Sequence, residues 1–212
     1  WLAVGEGGAI YTSSDPSGTW TLESSPVQDD LWAVACQGET VVIWGYNGTL
    51  LRSAPGGTFI DLDVAPNPSP FLSVATDGQG VWIAVGEGGG ILRSEDDGMN
   101  WAVIDTGRTE HLTDVVFALG RFIAVGQGPS MGWGQPPILM FSDDLGLGWT
   151  VANLPAEFTS VNRPLGALAS DGQGRWVAAG NGGDMLLSTD NGDSWSLSRL
   201  DGWGCYDIAY LP

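Results

Sequence analysis

Apolar and polar positions fall into short runs, and the same order of runs returns along the whole chain. One run reads Leu31-Trp32-Ala33-Val34-Ala35, Phe71-Leu72-Ser73-Val74-Ala75, Leu112-Thr113-Asp114-Val115-Val116, Leu165-Gly166-Ala167-Leu168-Ala169 and Cys205-Tyr206-Asp207-Ile208-Ala209. A second run ends in glycine: Trp1-Leu2-Ala3-Val4-Gly5, Trp82-Ile83-Ala84-Val85-Gly86, Phe122-Ile123-Ala124-Val125-Gly126 and Trp176-Val177-Ala178-Ala179-Gly180. A third ends in serine: Ile91-Leu92-Arg93-Ser94, Leu139-Met140-Phe141-Ser142 and Met185-Leu186-Leu187-Ser188. Runs of this length, rich in β-branched and aromatic residues and divided by Gly and Asp, predict strands. Asp77-Gly78 and Asp171-Gly172 mark hairpins between the first and second strands.

Every third run feeds an eight-residue turn of the form Ser-x-Asp-x-Gly-x-x-Trp. It stands at Ser94 to Trp101, Ser142 to Trp149 and Ser188 to Trp195, with a near copy at Ser13 to Trp20 that has Ser17 in the glycine place. A worn copy, lacking the aspartate, runs from Ser53 to Phe59. Ser and Asp side chains bond nearby backbone groups and hold a tight turn, while Gly takes a backbone angle closed to other residues. The aromatic that follows anchors the next strand. The terminal aromatics recur roughly every 40–48 residues, the spacing of propeller blades.

These turns resemble Asp-box (bacterial neuraminidase) repeats, and the resemblance covers the whole chain. Such repeats occur in sialidases, sortilin-type receptors, photosystem II assembly-factor propellers and exported bacterial or phage proteins. The resemblance implies a β-propeller whose boxes join the third and fourth strands of each blade, away from any active site. It assigns Asp15, Trp20, Asp96, Trp101, Asp144, Trp149, Asp190 and Trp195 to the structure of the boxes.

The expected fold is therefore all-β: one domain over 1–212, a five-bladed propeller of four-stranded antiparallel blades. Blade 1 spans about 31–64, blade 2 about 70–105, blade 3 about 111–154 and blade 4 about 164–200. The chain opens on a second strand and closes on a first strand, so 205–212 and 1–24 share blade 5 and close the ring without free edges. That closure places Trp1 close to Pro212; a piece of a larger propeller would hold them far apart. The Asp-Gly-Gln-Gly turn that joins first and second strands elsewhere is missing at this junction.

Length allows one domain that buries roughly 70% of its unfolded surface. Thirty-three glycines and eleven tryptophans, in a short-strand rhythm, suit an all-β fold. No apolar run approaches the roughly 20 residues of a membrane span. Twenty-five acidic residues against seven basic ones, all arginine, leave a net charge of −18. That field repels phosphate backbones and anionic lipid, so neither nucleic acid nor a membrane surface is an expected partner. An acidic, lysine-free surface suits an extracellular, cell-surface or periplasmic setting. Cys36 and Cys205 sit at opposite ends of equivalent strands in neighbouring blades, about 17 Å apart. Bridging needs about 7 Å, so two free, mostly buried thiols are expected.

In such a propeller the second-to-third-strand loops and the blade-to-blade loops share one face. Four of the former are short and Gly-rich; the fifth, 126–137, carries an insertion with Met131 and Trp133. Two readings stand for Trp133: it contacts a partner, or it folds back over its own blade. The blade-to-blade loops supply Asp29, Asp30, Arg108, Glu110, His111, Asn162, Arg163 and Trp203. Carboxylates, arginines and tryptophans around one mouth suit a glycan or an anionic peptide segment, and the alternative is ordinary solvated loop chemistry.

No catalytic set is complete. By resemblance, sialidase activity needs an arginine triad, an acid aspartate and a Tyr–Glu pair, yet the Arg-Ile-Pro signature is absent and Arg163-Pro164 is only a fragment of it. Arg52 and Arg93 hold matching third-strand positions and read as repeat residues. A different glycosidase could pair channel carboxylates about 5–10 Å apart, with Asp29, Asp30, Asp114 and Asp207 as candidates. The boxes around Asp96 and Asp190 look faintly like calcium loops, but lack the full pattern and its terminal Glu. One His and two distant Cys give no zinc spacing. The Gly-rich loops lack the strand-to-helix setting of a phosphate cradle.

The expected function is a non-catalytic binding or scaffold module, exported or displayed, holding a protein or glycan through one loop face and using no cofactor or metal. The alternatives are a glycoside hydrolase using channel carboxylates and an assembly factor, although the arginine-rich patch of photosystem II assembly factors is not recognisable.

Overall fold

The computed structural model describes residues 1–53, 57–62, 70–130, 135–159, 163–180, 182–199, 204–205 and 207–210. Met131, Trp133, Asn162, Trp203 and Pro212 lie outside the described residues, as does the middle of the worn turn at 54–56.

Period-two runs divided by Gly and Asp fold as the pattern requires, into five antiparallel sheets met in chain order. Blade 1 is Leu31–Gln37, Thr40–Gly45, Leu50–Ser53 and Phe59–Asp61. Blade 2 is Phe71–Thr76, Trp82–Gly86, Ile91–Ser94 and Ala102–Val103. Blade 3 is His111–Ala118, Arg121–Gln127, Pro137–Ser142 and Thr150–Val151. Blade 4 is Leu165–Ser170, Trp176–Gly180, Asp184–Ser188 and Ser196–Arg199, preceded by a short helix at Ala156–Thr159. The remaining sheet is Leu2–Val4, Ile10–Thr12 and Thr21–Leu22. The chain is a five-bladed β-propeller.

Its core lies between blades. Ile10, Leu31, Ile43 and Leu51 fill the contact of the N-terminal sheet with blade 1. Trp44, Phe71, Trp82 and Leu92 fill the next, where Trp44 packs tilted on Phe71 at 4.6 Å and edge-on to Trp101 at 5.4 Å. Ile83, Val85, Leu112, Phe122 and Met140 fill the third; Val125, Leu139, Leu165, Trp176 and Leu186 fill the fourth. Each blade thus needs both neighbours to bury its two faces.

The repeated turns are built as local bonding predicts. Ser94 Oγ accepts the N–H of Gly98 at 3.0 Å and donates to Asp96 Oδ1 at 2.9 Å, while Asp96 Oδ1 accepts the N–H of Asn100 at 2.8 Å. Trp101 Nε1 closes the turn on the Gly98 carbonyl at 3.0 Å. Ser142, Asp144 and Trp149 repeat these bonds, as do Ser188, Asp190 and Trp195. In the first copy, Ser17 instead gives both its N–H and its hydroxyl to Asp15 Oδ1, and Trp20 reaches Pro16 O at 3.4 Å.

These turns also latch blade to blade. Arg52 Nε donates to the carbonyl of Asp97 and Arg93 Nε to that of Leu145, each at 2.8 Å. Arg121 Nη1 donates to the carbonyl of Asn191, also at 2.8 Å.

The fifth sheet differs from the expected blade. Among the described residues it has three strands, and 204–205 and 207–210 carry no strand and no ladder bond to Leu2–Val4. The C-terminal segment nevertheless starts where a first strand should. Cys205 donates its N–H to Gly180 O at 3.0 Å, the bond that Leu31 makes to Gly5 O at the start of blade 1. Among the described residues, no ladder bond crosses the seam between the N-terminal sheet and blade 4. Trp1 and Tyr11 occupy the repeat positions of Trp176 and Leu186, which are at most 1% exposed, yet are 73% and 40% exposed.

Both thiols are free, but Cys36 is exposed and Cys205 intermediate, against the burial expected for them. Cys36 lies where its strand runs past the inter-blade core toward the turn at Gly38.

Candidate functional site

The loop face is assembled by the glycine that ends each second strand. A Cβ on Gly45 would fall 2.5 Å from the Asp30 carbonyl oxygen, and Cβ atoms on Gly86, Gly126 and Gly180 would strike the carbonyls of Pro70, His111 and Pro164 in the same way. Only glycine lets the incoming blade-to-blade loop cross there. The crossing is fixed by hydrogen bonds: Tyr46 N–H donates to Asp30 O at 2.7 Å and Glu87 N–H to Pro70 O at 3.1 Å. Both kinds of loop therefore do share one face. At Gly5 a Cβ would meet nothing within 4 Å among the described residues.

Each first strand then slips by one residue. The register shifts between Leu31 and Ala33, Phe71 and Ser73, Leu112 and Asp114, and Leu165 and Ala167. These bulges leave Trp32, Leu72, Thr113 and Gly166 outside the ladder, at the rim of the loop face, where bulges commonly re-aim a side chain.

The cations expected to hold a ligand are engaged within the protein. Arg108 pairs with Glu110 through Nη2 and Oε1. Burial alone would raise the Glu110 carboxyl, but its own backbone N–H and the Arg108 guanidinium outweigh that and hold it below the usual range. Arg163 Nη1 donates to Gly182 O at 2.9 Å and to Asp184 Oδ2 at 2.8 Å, and Arg199 Nε meets Asp184 Oδ1 at 3.2 Å. Asp184 is 2% exposed, so this pairing neutralises a buried charge. His111 accepts the N–H of Gly88 on Nδ1 at 3.3 Å and lies 3.0 Å from Pro129 O through Nε2, an arrangement satisfied with the hydrogen on Nε2. Arg52, Arg93, Arg121 and Arg175 complete the set, paired with Asp97, Glu95, Asp143 and Asp193, and Asp171. All seven arginines are thus in ion pairs.

The channel carboxylate Asp114 is also engaged. Its Oδ1 accepts Ser73 Oγ–H and Val115 N–H, both at 2.8 Å, and its Oδ2 accepts Leu168 N–H at 2.8 Å. Burial pushes its carboxyl above the ordinary value; these three hydrogen bonds oppose the shift and the charge of Asp207 adds to it. Asp207 thus lies close enough for its charge to act on Asp114. Asp29 accepts the Thr49 hydroxyl at 2.8 Å and Asp30 accepts the N–H of Gly7 at 2.9 Å.

What the loop face presents is a pair not singled out from the sequence. Trp32 and Tyr46 are 43% and 49% exposed, with ring centroids 5.6 Å apart and planes at 65°. The signal was a departure from the repeat. Trp32 stands where Leu72, Thr113 and Gly166 stand, and Tyr46 where Glu6, Glu87 and Gln127 stand. A shallow recess on the opposite face, lined by Ala169, Val177, Ile208 and Tyr210 with the Arg175–Asp171 pair, belongs to the seam. Among the described residues no three His, Cys, Asp or Glu side chains are arranged to hold a metal, and no helix is long and apolar enough to cross a membrane.

No known family model and no curated protein sequence matches the chain. Solved structures do. The GH74 enzyme of Niastella koreensis superposes with a TM-score of 0.69 at 16% identity, over 91% of this chain and 34% of that one. The chain thus spans about a third of that enzyme's length. YCF48 from Cyanidioschyzon merolae gives 0.51 at 18% identity, over 93% and 80% of the two chains. YCF48 bound to D1 peptide gives 0.46 at 19% identity, over 92% and 76%. At these identities the likeness is one of fold.

Proposed function

We propose that this chain is a non-catalytic binding propeller of the Asp-box type, exported or surface-displayed, that holds a protein partner on its loop face. One observation carries the reading: Trp32 and Tyr46 present large apolar rings to solvent at the rim where loops from two sheets converge. Neither ring fills a core, in contrast to Trp44, Trp82 and Trp176, which are at most 1% exposed. Exposed aromatics on a rigid sheet scaffold contribute contact area at small entropic cost.

The bonding in the channel supports binding over hydrolysis. A general acid must offer its proton to a substrate, and both oxygens of Asp114 are turned onto Ser73, Val115 and Leu168. Anion-gripping chemistry has little support either, because every arginine has a carboxylate partner.

The test is a parallel screen of peptide and glycan arrays, with hydrolysis measured on whatever glycans are retained. The expected result is peptide binding that Trp32→Ala and Tyr46→Ala each weaken, with Tm unchanged because both rings are exposed. Glycan retention without turnover would make the face lectin-like, and turnover would overturn the non-catalytic reading. Binding unaffected by either variant would remove this site.

A further inference from the structure

We infer that the Trp32–Tyr46 corner is a subsite for a cationic side chain, a lysine or arginine of the partner. This rests on the binding reading above and names the chemistry of that same site. The two rings meet edge to face, so they form two walls of a corner whose π-faces carry negative potential. The corner is held in place from beneath. Leu31, next to Trp32, is buried in the contact with the N-terminal sheet, and the Tyr46 N–H is tied to Asp30 O at 2.7 Å. A corner fixed in this way loses little freedom when a ligand enters.

The charge around it is one-signed. Residues 1–51, which form the N-terminal sheet, the strand bearing Trp32 and the turn bearing Tyr46, contain six carboxylates and no Arg, Lys or His side chain. Asp30, two residues before Trp32, is positioned by its bond from Gly7 N–H, and Asp29 by its bond from the Thr49 hydroxyl. Glu6 and Glu87 occupy the loop position of Tyr46 in the two flanking sheets. Farther off, the arginines are neutralised in pairs. A net charge of −18 therefore draws cations, and this part of the surface offers aromatic faces with no Arg, Lys or His side chain on their own strand or turn. An anionic segment would meet only repulsion here.

The experiment is an NMR titration of the whole chain, following the Trp32 indole N–H, identified by its loss in Trp32→Ala. Three blocked pentapeptides are the probes: Gly-Gly-Arg-Gly-Gly, its trimethyl-lysine counterpart, and its neutral citrulline isostere. The two cationic peptides should shift the Trp32 resonance, and citrulline should bind at least about threefold more weakly, the discrimination that an exposed cation–π contact supplies. Raising the salt to about 1 M should weaken the cationic peptides severalfold and leave citrulline unchanged, since the Debye length falls to about 3 Å. Tyr46→Ala should abolish the preference, and Asp30→Asn should reduce it while keeping the acceptor for Gly7. Equal binding of arginine and citrulline, or a preference that survives Tyr46→Ala, would overturn the subsite. If only the neutral citrulline peptide shifts Trp32, the cation assignment fails and the binding face stands. If no probe of any class shifts it, both fall.

Discussion

The backbone N–H of Leu168 donates to Asp114 Oδ2 at 2.8 Å, so a side chain of blade 3 closes a bond on the innermost strand of blade 4. Ser73 of blade 2 donates to the other oxygen at 2.8 Å. One carboxylate thus staples three blades. Asp114→Ala should lower the unfolding free energy by about 1–3 kcal/mol, because it leaves the Leu168 N–H without its partner. Urea unfolding measures this; a midpoint equal to that of the wild type would refute the staple.

The repeated turn predicts a pH effect. The Ser194 hydroxyl and N–H, with Ser188, bond the Asp190 carboxylate and lower its pKa to about 2. A pKa depressed below the ordinary 3.8 stabilises the fold above that value, and the contribution is lost as pH falls toward about 2. Wild type should therefore be more stable than Asp190→Asn at pH 7, with the gap closing between about pH 4 and pH 2. A gap that is constant with pH would show that Asp190 does not act through its charge.

Two glycines at one repeat position should respond differently to the same change. Gly180→Ala drives a methyl into the Pro164 carbonyl and should cost about 1–3 kcal/mol, whereas Gly5→Ala meets nothing within 4 Å and should be nearly neutral. Equal losses in thermal melts would mean that the seam beside Gly5 is closed in solution.

Leu145 holds a left-handed backbone, φ +57°, at the turn position where Asp97 and Asn191 stand. Asn tolerates that region better than a branched apolar residue, and the Leu145 side chain is partly exposed. Leu145→Asn should stabilise by about 0.5–1 kcal/mol. A fall in Tm would show that the side chain packs more than its exposure suggests.

The sequence by itself determined the strands, their order and the repeated turns, because each of those rests on contacts within a few residues. Ser94, Asp96, Gly98 and Trp101 satisfy one another inside a single turn, so their spacing is the structure. The tertiary structure decided what lies between blades. Arg121 reaches Asp193 across 72 positions and Arg163 reaches Asp184 across 21, pairings that no local spacing announces. Trp32 and Tyr46 are brought together by the bulge after Leu31 and the pairing of Leu31 with Gly45. Ring closure is a matter of tertiary contact as well: the strand pattern of 205–209 matches its repeats, while among the described residues no ladder bond joins it to Leu2–Val4. Periodicity encodes which residues face a neighbouring blade. How far apart two blades stand is set by the summed packing angles of the interfaces between them, and no single segment carries that sum.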